Sequence, residues 1–493
     1  MEVTRSNFKE ALPVISKAIE DSSFIAIDAE FTGLTASKRE NEFFDTCEER
    51  YKKLINGAKD FTIVQFGICT FNWDDEQQQY VAKPFNFYIF PKPYNKQMPD
   101  MRFLSQSSSL DFLAGHGFDF NKWIYQGIPF LLPPDEGRLR QMVSTNHHRF
   151  MPGGSPSIPP EFATTIKLVM KKVEKFIKDP VKESLSLPSF SPQVHELVYS
   201  SVKAAHKTGL RLESKKNEDN DRYIVITKWS KAENEKYDQE EVRIEQAVGF
   251  TKVIRLLSKS GKVILGHNML LDLLHMIRLF LSPLPDNLDD FKALVKGTVP
   301  RLIDTKVMAS TKPLKRHFPK SHLQGVYERS SEAPFVKPNV LFTEEFEDYS
   351  DGSKAHEAGF DAYMIGVAFI AMASFLEKQR RDGGMSRREM DLEIIKPYLN
   401  KIFLFPKLKD FLYLNLNGDD TTMSFPPYIR DSFQNSTNTP STSIDTPSKT
   451  AETVSSKQLK HDASSFEVEL EELPDSPEPT KKKTKSSTYR TRP

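Results

Sequence analysis

The sequence predicts an α/β fold that is interrupted by an inserted module and followed by a polar tail. Short apolar runs typical of buried strands alternate with amphipathic helical segments, and the alternation resumes after an interruption. Residues 151–161, rich in Pro, Gly and Ser, have the composition of a linker. We therefore predict a main domain in two parts (1–155 and 245–415), an inserted α+β module (160–235), and a disordered Ser/Thr/Pro-rich tail (429–493).

The first part of the main domain begins with a predicted amphipathic helix over Phe8–Glu20, whose apolar residues recur at helical spacing. The apolar run Phe24–Ile27 is interpreted as a buried strand. Phe61–Asn72 and Phe85–Phe90 are rich in aromatic and β-branched residues and flank a polar segment, which predicts an antiparallel hairpin. The serines at 107–109, ahead of an apolar stretch, predict a capped helix.

The inserted module is predicted to contain two helices followed by two strands, over Ala163–Lys178, Pro192–Lys207, Leu210–Leu212 and Arg222–Ile226. After it, a highly charged stretch (231–245) is expected to lead into a helix, a buried strand and a second helix, over Val248–Ser258, Lys262–Leu265 and Met269–Phe280. The uncharged stretch Ala362–Leu376 has 15 residues, fewer than the roughly 20 that span a bilayer. It is interpreted as a core helix, and no membrane association is expected.

Composition and charge limit the classes of protein to which this chain can belong. The 493 residues suggest about three folding units. The 68 Lys and Arg against 67 Asp and Glu leave a formal net charge of +1, which argues against a histone-like or acidic-tail protein but allows an enzyme with a basic groove. The two cysteines, Cys47 and Cys69, exclude a disulfide framework or a cysteine-rich zinc site and favour an intracellular protein. The first residues lack the apolar run of a signal peptide.

The sharpest chemical signal is the pair Asp28 and Glu30, at the end of a predicted buried strand. Residues two apart on a strand point to the same face, so both carboxylates are expected to project into one site. Two anions held close together repel unless a cation lies between them, and Mg²⁺ prefers carboxylate oxygens. A solvated strand end would show the same pattern.

Three later residues strengthen the metal hypothesis. Asp272 lies early in the helix that follows Gly266-His-Asn268, and Asp361 lies near the first turn of the predicted core helix, with His356 five residues before it. Each has a structural alternative as well: an acid in the first turn complements the helix dipole, and an isolated histidine is commonly a surface or core residue.

In this order and context, four acids and a histidine resemble the DEDD exonuclease superfamily, and the H-x₄-D spacing resembles its histidine subclass. The tyrosine that marks the other subclass is absent, because residue 357 is Glu. The resemblance implies a ribonuclease-H-like fold, with a mixed sheet between helices. It also implies that Asp28, Glu30, Asp272 and Asp361 bind two Mg²⁺ ions, with Mn²⁺ as an alternative, and that His356 takes a proton from the attacking water.

Several longer segments resemble the family of poly(A)-specific ribonucleases: Phe24–Gly33, Gln106–Leu113, Gly117–Asn121, Gly266–Asp272, Pro300–Lys306 and His356–Asp361. The resemblance covers residues 1 to about 415. It implies a 3′-to-5′ exoribonuclease that shortens poly(A) tails of RNA, releases 5′-AMP and forms a homodimer. Phe31, Thr32 and Leu34 are expected to contact the terminal nucleotide. The basic run Lys481–Lys485 adds an expectation of nuclear as well as cytoplasmic localisation.

The inserted segment resembles a nucleic-acid-binding module known by its Arg-x-x-x-His signature. The position of the signature arginine is occupied by Val202, so RNA contact and a plain surface role for His206 both stay open. In place of the family's C-terminal RNA-recognition domain this chain has the Ser/Thr-rich tail. Two other functions also stay open: 3′ trimming of small non-coding or piRNA-like RNAs by the same chemistry, and a non-catalytic RNA-binding role.

Overall fold

The computed structural model describes residues 1–34, 46–95, 100–147, 157–206, 208–218, 220–336, 338–349, 356–380, 392–404 and 411–414. By its contacts the chain divides into two units, Met1–Asp431 and Ser432–Pro493, and every described residue belongs to the first. The predicted tail over 429–493 and most of the predicted linker lie outside the described residues.

The described strands are β1 (Glu2–Val3), β2 (Phe24–Phe31), β3 (Ile63–Asp74), β4 (Gln79–Tyr88), β5 (Ser184–Ser186), β6 (Leu210–Lys216), β7 (Arg222–Lys228), β8 (Val263–Gly266), β9 (Leu302–Asp304), β10 (Val340–Phe342), β11 (Lys401–Phe403) and β12 (Phe411–Tyr413). The main sheet has the order β1-β4-β3-β2-β8-β9, and β10 also pairs with β4. β2 pairs antiparallel with β3 and parallel with β8, so the sheet is mixed, as predicted.

The described α-helices are α1 (Phe8–Asp21), α2 (Cys47–Asp60), α3 (Ser107–Gly115), α4 (Phe120–Gln126), α5 (Pro133–His147), α6 (Pro160–Lys178), α7 (Pro192–Ala205), α8 (Lys231–Val248), α9 (Thr251–Ser260), α10 (Leu270–Phe280), α11 (Leu288–Thr298), α12 (Thr305–Ser310), α13 (Leu323–Ser330), α14 (Ala358–Arg380) and α15 (Leu392–Ile395). Short 3₁₀ turns occur over Leu314–His317, Glu344–Tyr349 and Lys396–Tyr398.

Both faces of β2 are buried, which explains why its sequence is a continuous apolar run rather than an alternating one. Ile25 and Ile27 belong to a core shared with α1, α9 and α10, whereas Phe24 and Ala26 belong to a second core shared with α14. The predicted α/β class, a mixed sheet flanked by helices, is therefore confirmed.

Helix α14 is the only described helix long and apolar enough to cross a membrane by length and composition, and most of it is buried inside the protein. It packs on β2, β3 and β4, as expected of a core helix. The approach to β3 depends on glycine: a Cβ on Gly67 would lie 1.8 Å from the carbonyl oxygen of Ala358. Only a residue without a side chain lets the first turn of α14 lie on the strand.

The inserted segment forms its own three-stranded antiparallel sheet, in the order β5-β7-β6, with α6 and α7. A separate hydrophobic core joins these elements and includes Val173, Val198 and Ile224. Val202, at the position of the signature arginine, is fully buried in that core. The division into domains stays a prediction.

Several predicted elements differ from the structure. The charged stretch 231–245 is itself helical, as most of α8, because a capping box on Ser230 and Glu233 begins a helix there. Helix α3 begins at Ser107, but none of its serines caps it: the N-cap residue is Gln106 and makes no side-chain capping bond. Strand β2 ends at Phe31, one residue beyond the acidic pair that was predicted to lie at its end.

Candidate active site

The candidate active site is centred on β2. Asp28 is paired with Gly67 of β3 and Glu30 with Gln65, and both acidic side chains are half-buried. The intervening Ala29 is buried in the core, so the alternation of the strand places the two carboxylates on the opposite face. The β2–β3 register shifts between Glu30 and Phe31, directly beyond the acidic pair.

The first turn of α14 brings a third carboxylate to this pair. The amide of Ala358 donates to Gln65 Oε1 over 3.4 Å, and the amide of Gly359 donates to Asn86 Oδ1 over 3.2 Å. These bonds satisfy amide groups that a helix N-terminus leaves unpaired and fix α14 to β3 and β4. As a result, Asp28, Glu30 and Asp361 each offer a ligand oxygen within 4.8 Å of the other two.

Asp272 lies in the first turn of α10, is 8% exposed and is not part of that 4.8 Å group. Its charge nevertheless acts on both Asp28 and Glu30. Its Oδ1 atom is buried and has no hydrogen-bond partner among the described residues. Buried carboxylate oxygens are normally paired, so this atom indicates a missing ligand.

Burial and the charges of neighbouring acids disfavour ionisation of all four acids. Burial, followed by the neighbouring acids, raises the pKa of Asp28 well above its usual range and that of Glu30 to about 8. Burial is also the main cause that raises the pKa values of Asp272 and Asp361 to about 7. A divalent cation would remove this repulsion, and hard oxygen ligands are those that Mg²⁺ prefers. The residues present therefore fit such an ion.

His356 lies beside the acidic cluster. It has a left-handed backbone (φ 70°), and its amide donates to Asp361 Oδ1 over 3.2 Å. Its ring centroid is 4.0 Å from that of His116 and 5.1 Å from that of Phe112. Burial, with His116 adding to it, lowers the pKa of His356, which favours the neutral imidazole that can accept a proton.

His116 and Phe112, at the C-terminal end of α3, were not identified as site residues from the sequence. The nearest signal was the family-like segment Gln106–Leu113, which contains Phe112. The Phe112 side chain is 45% exposed, and His116 Nδ1 donates to the Phe112 carbonyl oxygen over 2.7 Å. Nothing in the sequence alone indicates that α3 would lie against His356.

The predicted substrate-binding residues occupy different environments. Phe31 is buried and its ring packs on His275, with the centroids 4.7 Å apart. Thr32 is fully buried, and its hydroxyl donates to the Leu104 carbonyl and accepts from the Thr62 amide. Leu34 is 51% exposed. Of the three, Leu34 alone has most of its side chain available to a nucleotide in this conformation, and the substrate role of all three stays a prediction.

Comparison with known proteins finds relatives that are all named as ribonucleases or exonucleases. Residues 3–369 match the family described as CAF1 family ribonuclease. The chain is 40% identical to the poly(A)-specific ribonuclease PARN of Xenopus laevis, over 85% of this chain and 69% of that protein. It is 38% identical to the human protein of the same name over the same shares. It is also 31% identical to the pre-piRNA 3′-exonuclease trimmer of Bombyx mori, over 86% of this chain and 81% of that protein.

Proposed function

The chain belongs to the CAF1 family of ribonucleases, and on that premise we propose that it is a poly(A)-specific 3′-to-5′ exoribonuclease that releases 5′-AMP. The observation that carries the proposal is the convergence of Asp28, Glu30 and Asp361 within 4.8 Å, although Asp361 is more than 300 residues from the other two. A purely binding protein has no need for acids held together at this electrostatic cost.

We propose that Asp28, Glu30, Asp272 and Asp361 hold two Mg²⁺ ions. Bound divalent ions supply an activated water nucleophile and stabilise the charge on the attacking and leaving oxygens. The part played by the protein is to fix the four carboxylates on β2, α10 and α14 before substrate arrives. Because β2 lies between two buried cores, one of which contains α10 and the other α14, the ligands need little rearrangement when the ion binds.

His356 then acts as the general base. The depressed pKa keeps its imidazole neutral near pH 7, and the backbone bond to Asp361 fixes the residue beside the carboxylates. It accepts the proton of the water that attacks the terminal phosphodiester. A base in this position contributes about 10²–10⁴ in rate.

The RNA end approaches beside exposed apolar side chains. Phe112, Leu104 and Leu34 are 45%, 58% and 51% exposed, and hydrogen bonds connect their segments through Gln106 and Thr32. Base stacking on an aromatic ring contributes about 1–3 kcal/mol per base. We propose that this surface receives the terminal adenines, and that preference for poly(A) comes from stacking rather than from a base-edge code.

A second candidate is 3′ trimming of small RNAs by the same residues. It is favoured by the 31% identity to the Bombyx mori trimmer, which extends over 86% of this chain. The higher identity to the poly(A)-specific enzymes, together with their number, favours deadenylation. Homodimerisation and a distribution between nucleus and cytoplasm remain proposals.

The decisive experiment compares 5′-labelled RNAs that share one body and carry an A-tail, a U-tail or no tail, with Mg²⁺ and with EDTA. We expect stepwise shortening of the A-tail, release of 5′-AMP, and loss of both in EDTA. Asp28→Asn should abolish cleavage, whereas the matched control Asp289→Asn, at a side chain that is 76% exposed, should not. Equal rates on all three RNAs would favour trimming, and cleavage by Asp28→Asn would refute the metal assignment.

A further inference from the structure

A buried carboxylate outside the acidic cluster, that of Asp304, accepts four backbone hydrogen bonds. Asp304 ends β9 and is fully buried. Its Oδ1 accepts from the amides of Asn268 (2.8 Å) and Lys306 (3.0 Å). Its Oδ2 accepts from the amides of Met269 (3.3 Å) and Phe403 (3.0 Å). One side chain therefore joins three segments that are remote in sequence.

Two of the four amides belong to the turn that presents Asp272. Asn268 and Met269 connect β8 to α10, and Asn268 has a left-handed backbone (φ 60°). The neighbouring Thr305 hydroxyl donates to the Gly266 carbonyl oxygen over 2.9 Å and holds the same turn. The Asp272 carboxylate interacts with its own amide and with the amide of Ala29 in β2, while its Oδ1 has no hydrogen-bond partner in the described part of the chain. How the start of α10 is held therefore decides where this carboxylate lies against β2.

The fourth amide belongs to a hairpin near the C-terminal end of the described residues. This hairpin consists of β11 and β12 and lies along β9. The Asn400 amide donates to the Leu302 carbonyl over 2.8 Å, and the Leu302 amide donates to Asn400 Oδ1 over 3.1 Å. Phe403 then reaches Asp304. The hairpin is thereby connected, through one carboxylate, to the turn before Asp272.

We propose that Asp304 is a positioning residue for the ribonuclease reaction, which fixes the turn that presents Asp272, and that the β11–β12 hairpin completes this support. The expected effect on kcat rests on the proposed function, whereas the hydrogen bonds of Asp304 do not depend on that function. Asp304 touches neither the RNA nor the reacting atoms. Loss of its carboxylate should therefore lower kcat and leave RNA affinity unchanged.

The test is Asp304→Asn in the full chain, with Asp289→Asn as the control for the same chemical change at an exposed site. The Nδ2 atom of the new asparagine is a hydrogen-bond donor, so it would face two backbone amide donors and the two hydrogen bonds accepted by the replaced oxygen would be lost. We expect kcat on A-tailed RNA to fall about 10- to 100-fold, the range typical of residues that orient metal ligands, with KM and RNA affinity in EDTA little changed. Hydrogen–deuterium exchange should accelerate at residues 268–269 and 403, as a readout that does not depend on activity.

Asn400→Gly is the second variant and is used if Asp304→Asn does not fold. Glycine accepts the left-handed backbone of this position (φ 56°) and removes the side-chain bonds to Leu302 and Pro300. We expect a smaller fall in kcat with the same faster exchange at residues 268–269. Wild-type kcat and exchange in either folded variant would overturn the proposal. An inactive wild-type protein would instead refute the proposed function, so the two failures are distinguishable.

Discussion

Replacing Glu30 with Gln is expected to stabilise the metal-free protein and to abolish its nuclease activity. Glu30 lies among Asp28, Asp361 and Asp272, and its ionised form is opposed first by burial and then by the charges of Asp361 and Asp272. Glutamine has nearly the same shape but carries no charge. The substitution therefore removes a repulsive group, together with an oxygen ligand that an ion would need.

The magnitude follows from the pKa of Glu30, which rises from 4.5 to about 8. A raised carboxyl pKa stabilises the folded state only where the group is protonated, so its contribution is complete below pH 4.5 and is lost as the pH rises towards 8. At pH 7, which is 2.5 pH units above the unfolded-state pKa, the folded protein has lost about 3 kcal/mol of stability, at about 1.36 kcal/mol per unit. Solvent contact of this half-buried group reduces the loss to about 1–3 kcal/mol.

The assay is thermal unfolding in EDTA at pH 4.5, 6, 7 and 8, with Glu20→Gln as a control at an exposed glutamate. Glu30→Gln should match the wild type at the lowest pH and exceed it by a few degrees at pH 8. Added Mg²⁺ should raise the melting temperature of the wild type and have much less effect on the variant. Equal stability of the two proteins at pH 8 in EDTA would refute the reasoning.

Three further predictions concern other parts of the molecule. His356→Ala should lower kcat about 10²–10⁴-fold without loss of RNA binding, and a change under tenfold would contradict its role as base. Gly67→Ala should destabilise the protein and lower kcat, because its Cβ would overlap the Ala358 carbonyl. Gly115→Ala, at a glycine with open space around it, is the control. Equal melting temperatures of Gly67→Ala and the wild type would contradict this packing. Val202→Arg, which restores the signature arginine, should unfold the inserted module by burying a charge in its core, and unchanged resistance to proteolysis would refute that.

Much of the site was predictable because its main signals are local. The acids of β2 share a face through the period of a strand, and the apolar run before them predicts the burial that follows on both sides of the sheet. The uncharged stretch of α14 similarly predicts a core helix, with Asp361 in its first turn. The family resemblance connected these separate signals, because no periodicity relates Asp28 to Asp272 or Asp361.

The remaining features depend on contacts between distant segments. His116 is an ordinary polar residue at the end of a short helix, and only the packing of α3 places it beside His356. Asp304 is a single acid at the end of a three-residue strand, and its four donors come from residues 268 to 403. The helicity of the charged α8 was missed because hydrophobic periodicity outweighed its capping signal, Ser230 with Glu233.

The arrangement of the core explains how a cluster of mutually repelling acids can persist before an ion binds. Each acid is carried by an element fixed elsewhere: β2 between two buried cores, α14 by its close contact with Gly67, and α10 by the amides bound to Asp304. Apart from taking up protons, which the raised pKa values favour, the acids can relieve the repulsion only if one of these elements moves, which would open buried apolar contacts or break buried hydrogen bonds. The carboxylates therefore stay close together and can exchange their protons for a cation, so loosening any one support should weaken metal binding more than it weakens RNA binding.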